Sequence, residues 1–222
     1  MTSVYLIRHG TTDGNQGNRF QGRVDHPLNA LGLNQGEYLA RRFETVPLDA
    51  VYCSPLTRTR QTAAFVCRGV NAGLTPIIRQ DLIEVDGGDL EDQPQGRYEG
   101  KYPGILEILL SRPSEFVAPG GETSRQVYDR FKDQMAEIVA ENPDRTIAVV
   151  THGFALMTYL NYVKEIPFPE MKRFLVGNMS VTTITYEAPD RPALVSLDDQ
   201  SHLPEEYRFR RIPDPRDTQG PL

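Results

Sequence analysis

Arg8 and His9 follow directly on the apolar run at residues 4–7, and Arg58 stands four residues beyond Ser54, which ends a second run at 49–53. Thr151, His152 and Gly153 close a third run at 147–150. Arginine offers a planar fork of N–H donors that matches the oxygens of a phosphoryl group. A neutral imidazole whose other ring nitrogen is fixed by a hydrogen bond can attack phosphorus, splitting a hydrolysis into two easier displacements. Cations around it would stabilise charge on the equatorial oxygens. Protonating the departing oxygen, and later taking a proton from water, suits a carboxyl group. Glu84 is the candidate, since it follows the apolar Ile77–Ile78 pair and opens a segment rich in glycine and charge. Six other acidic residues lie from Asp81 to Glu99, and Asp86, Asp89 and Glu91 would each reach such a site if the loop folded inward.

For these residues to meet, the apolar runs must be strands of one sheet. Residues 4–7, 49–53, 147–150 and 180–186 are short, rich in β-formers and bounded by polar or turn-forming residues. Helical patterns lie between them at Ala30–Phe43, with Asn29 as N-cap, and at 57–68, with Ser54 as cap and Pro55 in the first turn. A third runs over 122–141, where Val127, Phe131, Met135 and Ile138 recur at helical spacing and charged residues take the other face. That stripe reads as core packing. Strands alternating with helices predict an α/β three-layer sandwich, a mainly parallel sheet with helices on both faces. Ligands bind outside the carboxyl edge of such a sheet, where Arg8, His9, Arg58 and His152 would converge near helix N-termini that favour an anion. We expect a single domain over residues 1–207 with a lid-like insertion at about 86–120, and a C-terminal tail at 208–222. Glycine and charge at 86–104, and proline and arginine in the tail, mark these as the least ordered stretches.

Each residue also has a plainer reading. A lone histidine after a strand is more often a structural hydrogen-bonder than a nucleophile, and Arg58 alone would pass for a surface ion-pair partner like Arg60. Gln21 and Gly22 either shape a turn or lend their backbone to a substrate, with neither reading favoured. His26 and His202 read as exposed. Two other phosphatase chemistries fail on spacing. The position six beyond Cys53 is Thr59, and that beyond Cys67 is Gly73, so neither cysteine has its arginine. The first strand ends in Arg-His, where an aspartate-based enzyme would carry two aspartates flanking one residue.

Taken together, the motifs resemble the histidine phosphatase superfamily, the phosphoglycerate mutase-like fold. Leu6-Ile7-Arg8-His9-Gly10 with Asn15 is similar to its signature, and Phe20-Gln21-Gly22, Asp25, Pro27-Leu28, Gly32 and Gln35 continue in register. Ser54-Pro55-Leu56-Thr57-Arg58 with Thr59 to Ala63, Leu82-Ile83-Glu84, Pro119-Gly120-Gly121-Glu122-Thr123 and Thr151-His152-Gly153 match later blocks in order. The resemblance spans roughly residues 3–186. It implies that His9 is the phosphorylated nucleophile, that Arg8, Arg58 and His152 hold the phosphoryl group, that Asn15 assists and that Glu84 is the proton donor. By the same resemblance Gln21, Gly22 and Gly153 border the substrate, and no metal or organic cofactor is needed. Thr11 stands where the family often has an acid, and Leu90-Glu91-Asp92 where many members have Trp-Glu-Gly, so the pocket rim departs from the pattern.

Composition narrows the partners. A net charge of −6 with dispersed basic residues gives no stripe for nucleic acid and no polybasic membrane patch. The apolar runs are too short to span a bilayer and no signal-like segment opens the chain, so a cytoplasmic location is expected. Two cysteines make no disulfide framework. The tail's arginines are either a solvated face or a contact in a homodimer. The expected activity is hydrolysis of a small phosphorylated metabolite through a phosphohistidine. The rivals are a phosphoglycerate mutase and a catalytically silent module of the same fold. The acidic, glycine-rich Val85-Asp86-Gly87-Gly88-Asp89 disfavours the mutase, which needs a basic stretch there to retain a bisphosphate.

Overall fold

Along β1 (Thr2–Arg8), Val4 and Leu6 face one apolar layer while Tyr5 and Ile7 face another, the period of two expected of a strand covered on both sides. The computed structural model describes residues 1–70 and 73–209. After β1 come α1 (Asp13–Gln16), β2 (Arg19–Phe20), α2 (Ala30–Phe43), β3 (Ala50–Cys53), α3 (Thr57–Val70), β4 (Ile77–Ile78) and β5 (Gln93–Pro94). Then follow α4 (Gln95–Lys101), α5 (Ile105–Ser111), α6 (Ser124–Glu141), β6 (Thr146–Thr151), α7 (Gly153–Val163), β7 (Val181–Tyr186) and β8 (Pro192–Asp199).

The main sheet has the order β4-β3-β6-β1-β7-β8. Its first four strands are parallel, as expected; β7 runs antiparallel to β1, and β8, which the sequence reading omitted, runs antiparallel to β7. One core layer, under α6 and α7, holds Leu6, Val149, Phe131 and Leu156, and the other, under α2 and α3, holds Ile7, Val150, Phe43 and Val66. The three-layer α/β architecture is the one the alternating pattern predicts. Among the described residues no helix is long and apolar enough to cross a membrane.

Register sets the height of the chemistry. Arg8 pairs with Thr151 and Cys53 with Val150, so all three central strands end at one level. The His9 N–H donates to the Thr151 carbonyl at 3.0 Å and the Ser54 N–H to that of Val150 at 3.1 Å, carrying the alignment past the strand ends.

Caps explain most helix starts. Asn29 accepts from the Gly32 N–H at 3.0 Å, and Thr123 with Gln126 closes a capping box on α6, which therefore begins two residues later than predicted. Ser54 is not the cap of α3. That helix begins at Thr57, whose N–H and hydroxyl donate to the Asp25 carboxylate at 2.6 and 2.8 Å, while the Ser54 hydroxyl lies 2.7 Å from the His152 ring.

The stretch at 86–104 is more structured than its composition suggested. It holds a tight turn at Gly88–Leu90, β5 paired with β2, and α4, anchored by buried Leu90 and Tyr98 and by the Lys101–Asp89 ion pair at 2.8 Å. Residues 210–222 of the tail lie outside the described residues. His26 and His202 are half-buried instead of exposed, His26 beside Asp92 and His202 against Arg42.

Phe131 is fully buried with its ring 5.3 Å from that of Tyr159, so Phe131→Ala should open a cavity in the α6 layer. Urea unfolding should show a loss of about 3–5 kcal/mol. A loss below about 1 kcal/mol would mean that α6 does not hold this core.

Candidate active site

At the carboxyl edge of β1, β3 and β6 lies a cavity of about 240 Å³. Arg8, His9, Asn15, Gln21, Gly22, Arg58, Glu84 and Gly153, all singled out in the sequence, line it. His152 does not: it is buried behind the wall, its ring centroid 5.3 Å from that of His9.

His9 Nδ1 lies 2.7 Å from the Gly10 carbonyl. A carbonyl can only accept, so Nδ1 carries the proton and Nε2 keeps a bare lone pair. Burial, reinforced by the Arg58 and Arg8 guanidiniums, holds the imidazole pKa well below its usual value, which keeps this nucleophilic form at neutral pH.

Arg58 is 1% exposed. It donates from Nη1 to the Val24 carbonyl and from Nη2 to that of Gly22, both at 2.7 Å, and from Nε to His152 Nδ1 at 3.2 Å. One N–H on each Nη is left over for a ligand. Burial lowers its pKa to about 10, with Glu84 working the other way. Because the Arg58 Nε–H can only donate, His152 is neutral with its proton on Nε2, which donates to the Ser54 hydroxyl at 2.7 Å. Burial and the Arg58 charge push its pKa well down.

Arg8 gives Nη1 to the Val176 carbonyl at 2.6 Å, and its buried Nε has no partner among the described residues. An orphaned buried donor is costly unless a ligand oxygen completes it. A Cβ on Gly153 would sit 3.2 Å from that Nε, so glycine there keeps the approach open. Asn15 Oδ1 accepts from the Thr12 N–H at 3.1 Å, which turns its Nδ2 donor away from Thr12. Gln21 accepts from the Thr12 hydroxyl at 2.7 Å, and Gly22 adopts φ +50°, where any Cβ would strike the Glu91 carboxylate.

Glu84 fills the N-terminus of α7. Its Oε1 accepts from the Val85 and Ala155 N–H groups at 2.9 and 3.0 Å, and Oε2 from that of Phe154 at 3.0 Å. The rival acids are engaged elsewhere: Asp86 with Arg23 and the Gly88 N–H, Asp89 with Lys101, and Glu91 with the N–H groups of Arg23 and Gly87. Among the described residues Glu84 alone brings a carboxylate into the cavity.

Several contributors were not foreseen. Asn178 donates to the His9 carbonyl at 2.9 Å, and Val176 holds Arg8; both precede the antiparallel β7, which starts at the same sheet edge. Recognising β7 as antiparallel would have pointed to them. Glu122 pairs with Arg23 and Arg130 at 3.0 Å each, and Arg130 also donates to the carbonyls of Asp81, Ile83 and Glu84. Although half-burial disfavours its charge, Arg130 and the Asp86 N–H keep the Glu122 carboxyl below its ordinary pKa. This ionic knot holds the backbone that carries Glu84.

The model of the histidine phosphatase superfamily (branch 1) matches residues 4–200. The chain belongs to this superfamily. A probable phosphoglycerate mutase, GpmB, of Enterobacter sp. (strain 638) is 29% identical over 187 residues, 84% of this chain and 86% of that protein. Phosphoserine phosphatase 1 of Hydrogenobacter thermophilus is 28% identical over 208 residues, 93% and 97% of the two chains. The solved structure of Bacillus stearothermophilus YhfR shares 29% identity, covers 91% of this chain and 99% of its own, and superposes with a TM-score of 0.84.

The buried histidines of this superfamily member couple its stability to pH. In the folded state His9 and His152 titrate well below 6.5 through burial and neighbouring arginines, and His202, by burial and Arg42, at about 4. The unfolded chain, with ordinary values, takes up more protons below pH 6.5, so stability is full above that pH and falls as the solution is acidified. Unfolding by urea at pH 7, 6 and 5 should show a loss approaching about 1.4 kcal/mol per pH unit for each of the two active-site histidines. A flat profile would show them protonated in the fold.

Proposed function

We propose that this enzyme hydrolyses phosphomonoesters of small metabolites, with His9 as a transient phosphoryl carrier and without a metal. The observation that carries the reading is the bare Nε2 of a neutral, buried His9 in one cavity with the buried guanidiniums of Arg8 and Arg58 and a single carboxylate. The names of its relatives support the substrate class, since they include a phosphoserine phosphatase.

In the first step His9 Nε2 forms a bond to phosphorus while the bond to the ester oxygen breaks, and the Glu84 carboxyl passes a proton to that oxygen. Arg8 through its orphaned Nε, and Arg58 through its remaining N–H groups, stabilise the equatorial oxygens, with the Asn15 amide alongside. In the second step Glu84 takes a proton from water, the water oxygen bonds to phosphorus and the P–N bond breaks, releasing phosphate. His152 is a positioning residue in this scheme, since it accepts from Arg58 and donates to Ser54. A cytoplasmic location belongs to the same proposal.

Return of the phosphoryl group to a sugar acid, as the mutase-named relatives suggest, is the second reading. Arg19 and Arg173 in the cavity lining favour it, whereas the acidic run after Glu84 does not. Interconversion of phosphoglycerates faster than their hydrolysis would establish it.

Single turnover quenched in alkali should trap acid-labile phosphate on His9, and His9→Ala should lose about 10³-fold or more in phosphate release measured in the presence of EDTA. Undiminished release by that variant would remove His9 from the mechanism. Glu84→Gln should lose about 10²–10⁴-fold with alkyl phosphates but far less with p-nitrophenyl phosphate, whose leaving group needs no proton. Equal losses on both substrates would point to another acid.

A further inference from the structure

The phosphoryl end of the cavity is polar, but the rest of its lining is not. Apart from Arg19 and Arg173, the remaining wall is hydrocarbon, with Phe20, Leu109, Leu110, Phe154, Met157 and Leu175 prominent in it. Two aromatic rings of this wall are fixed in place by a third. Fully buried Phe116 stacks on Phe20 at 6.1 Å and packs against Phe154 at 5.4 Å.

Among the described residues two of the leucines have no share in the core. Leu106, Ile108 and Leu109 of α5 pack against the main apolar layer, whereas Leu110 does not, and Phe174 and Val176 are buried in that layer while Leu175 between them is not. Leu110 and Leu175 are half-buried and line the cavity. Apolar side chains held at a cavity mouth without a core to fill present their surface to a ligand.

We infer that the departing group of the substrate is an apolar alcohol with a hydrocarbon or ring body, seated between Leu110, Leu175 and the Phe20–Phe154 wall. This deepens the phosphatase reading and rests on it. A polyhydroxylated or amino-acid leaving group would shed its water against these side chains with few partners to replace it. Of the two further cations in the lining, Arg19 gives Nη1 to the Asp92 carbonyl at 2.6 Å and lies 3.6 Å from the Asp92 carboxylate.

The test compares leaving groups of similar basicity, so that chemistry does not mask binding. With the full-length wild-type enzyme, kcat/KM for 2-phenylethyl phosphate should exceed that for glycerol 3-phosphate and O-phosphoserine by about tenfold or more, mainly through KM. Leu110→Asn and Leu175→Asn should each shrink that ratio by about threefold or more, with thermal unfolding confirming that the variants are folded. Equal or higher kcat/KM for the polar esters, or ratios untouched in both folded variants, would overturn the inference while leaving the hydrolase intact. Failure to release phosphate from any ester, p-nitrophenyl phosphate included, would overturn the hydrolase reading and this inference with it.

Discussion

Burying two guanidiniums beside two imidazoles is the constraint around which this fold is arranged. Among the described residues neither Arg8 nor Arg58 has a carboxylate within ion-pairing distance; Arg8 is held by the Val176 carbonyl, and Arg58 by the carbonyls of Gly22 and Val24 and by His152. Carbonyl dipoles fix the direction of a charge without cancelling it. The field that remains beside Glu84 acts twice: it favours a doubly negative phosphoryl group, and it adds to burial in keeping His9 unprotonated. On the proposed mechanism nucleophile activation and anion binding are therefore one electrostatic arrangement, and weakening either arginine would affect both.

Holding such a field demands a stiff frame, and the frame is polar as well as apolar. Glu84 stands at the start of α7, a helix end that would otherwise leave its N–H groups without an acceptor, since His152 at the cap position makes no side-chain cap. Its backbone is gripped by Arg130, which is gripped in turn by Glu122. The loop at 119–123 thus reaches the chemistry through two intermediates while touching none of the reacting atoms.

What could be read from the sequence and what could not follow from distance along the chain. Arg8, His9, Arg58, His152 and Gly153 are each within a few residues of a strand end, and the edge rule for parallel sheets brings such residues together without knowledge of side-chain packing. Glu84 was harder, because six other acids share its segment; only their ties to Arg23, Lys101 and backbone amides separate them from it. Asn178 and Val176 were missed because β7 was not recognised as antiparallel, so its leading residues were not placed at the catalytic edge. The apolar collar was equally out of reach. Whether Leu110 fills a core or faces a cavity depends on how α5 is rotated against the body of the protein, and an all-apolar stretch such as Ile108-Leu109-Leu110 does not encode that rotation.

The antiparallel placement of β7 has a consequence for the chain while it is being made. Arg8 and His9 are held by Val176 and Asn178 across 168 and 169 residues. His9 therefore leaves the ribosome well before the groups that hold it and Arg8 in place. Contacts of such sequence separation form late. Until residues 176–186 are placed, a nascent chain that has already built β1 and β6 carries His9 with Arg8 unclamped, so on the proposed mechanism competence arrives with the closing strands.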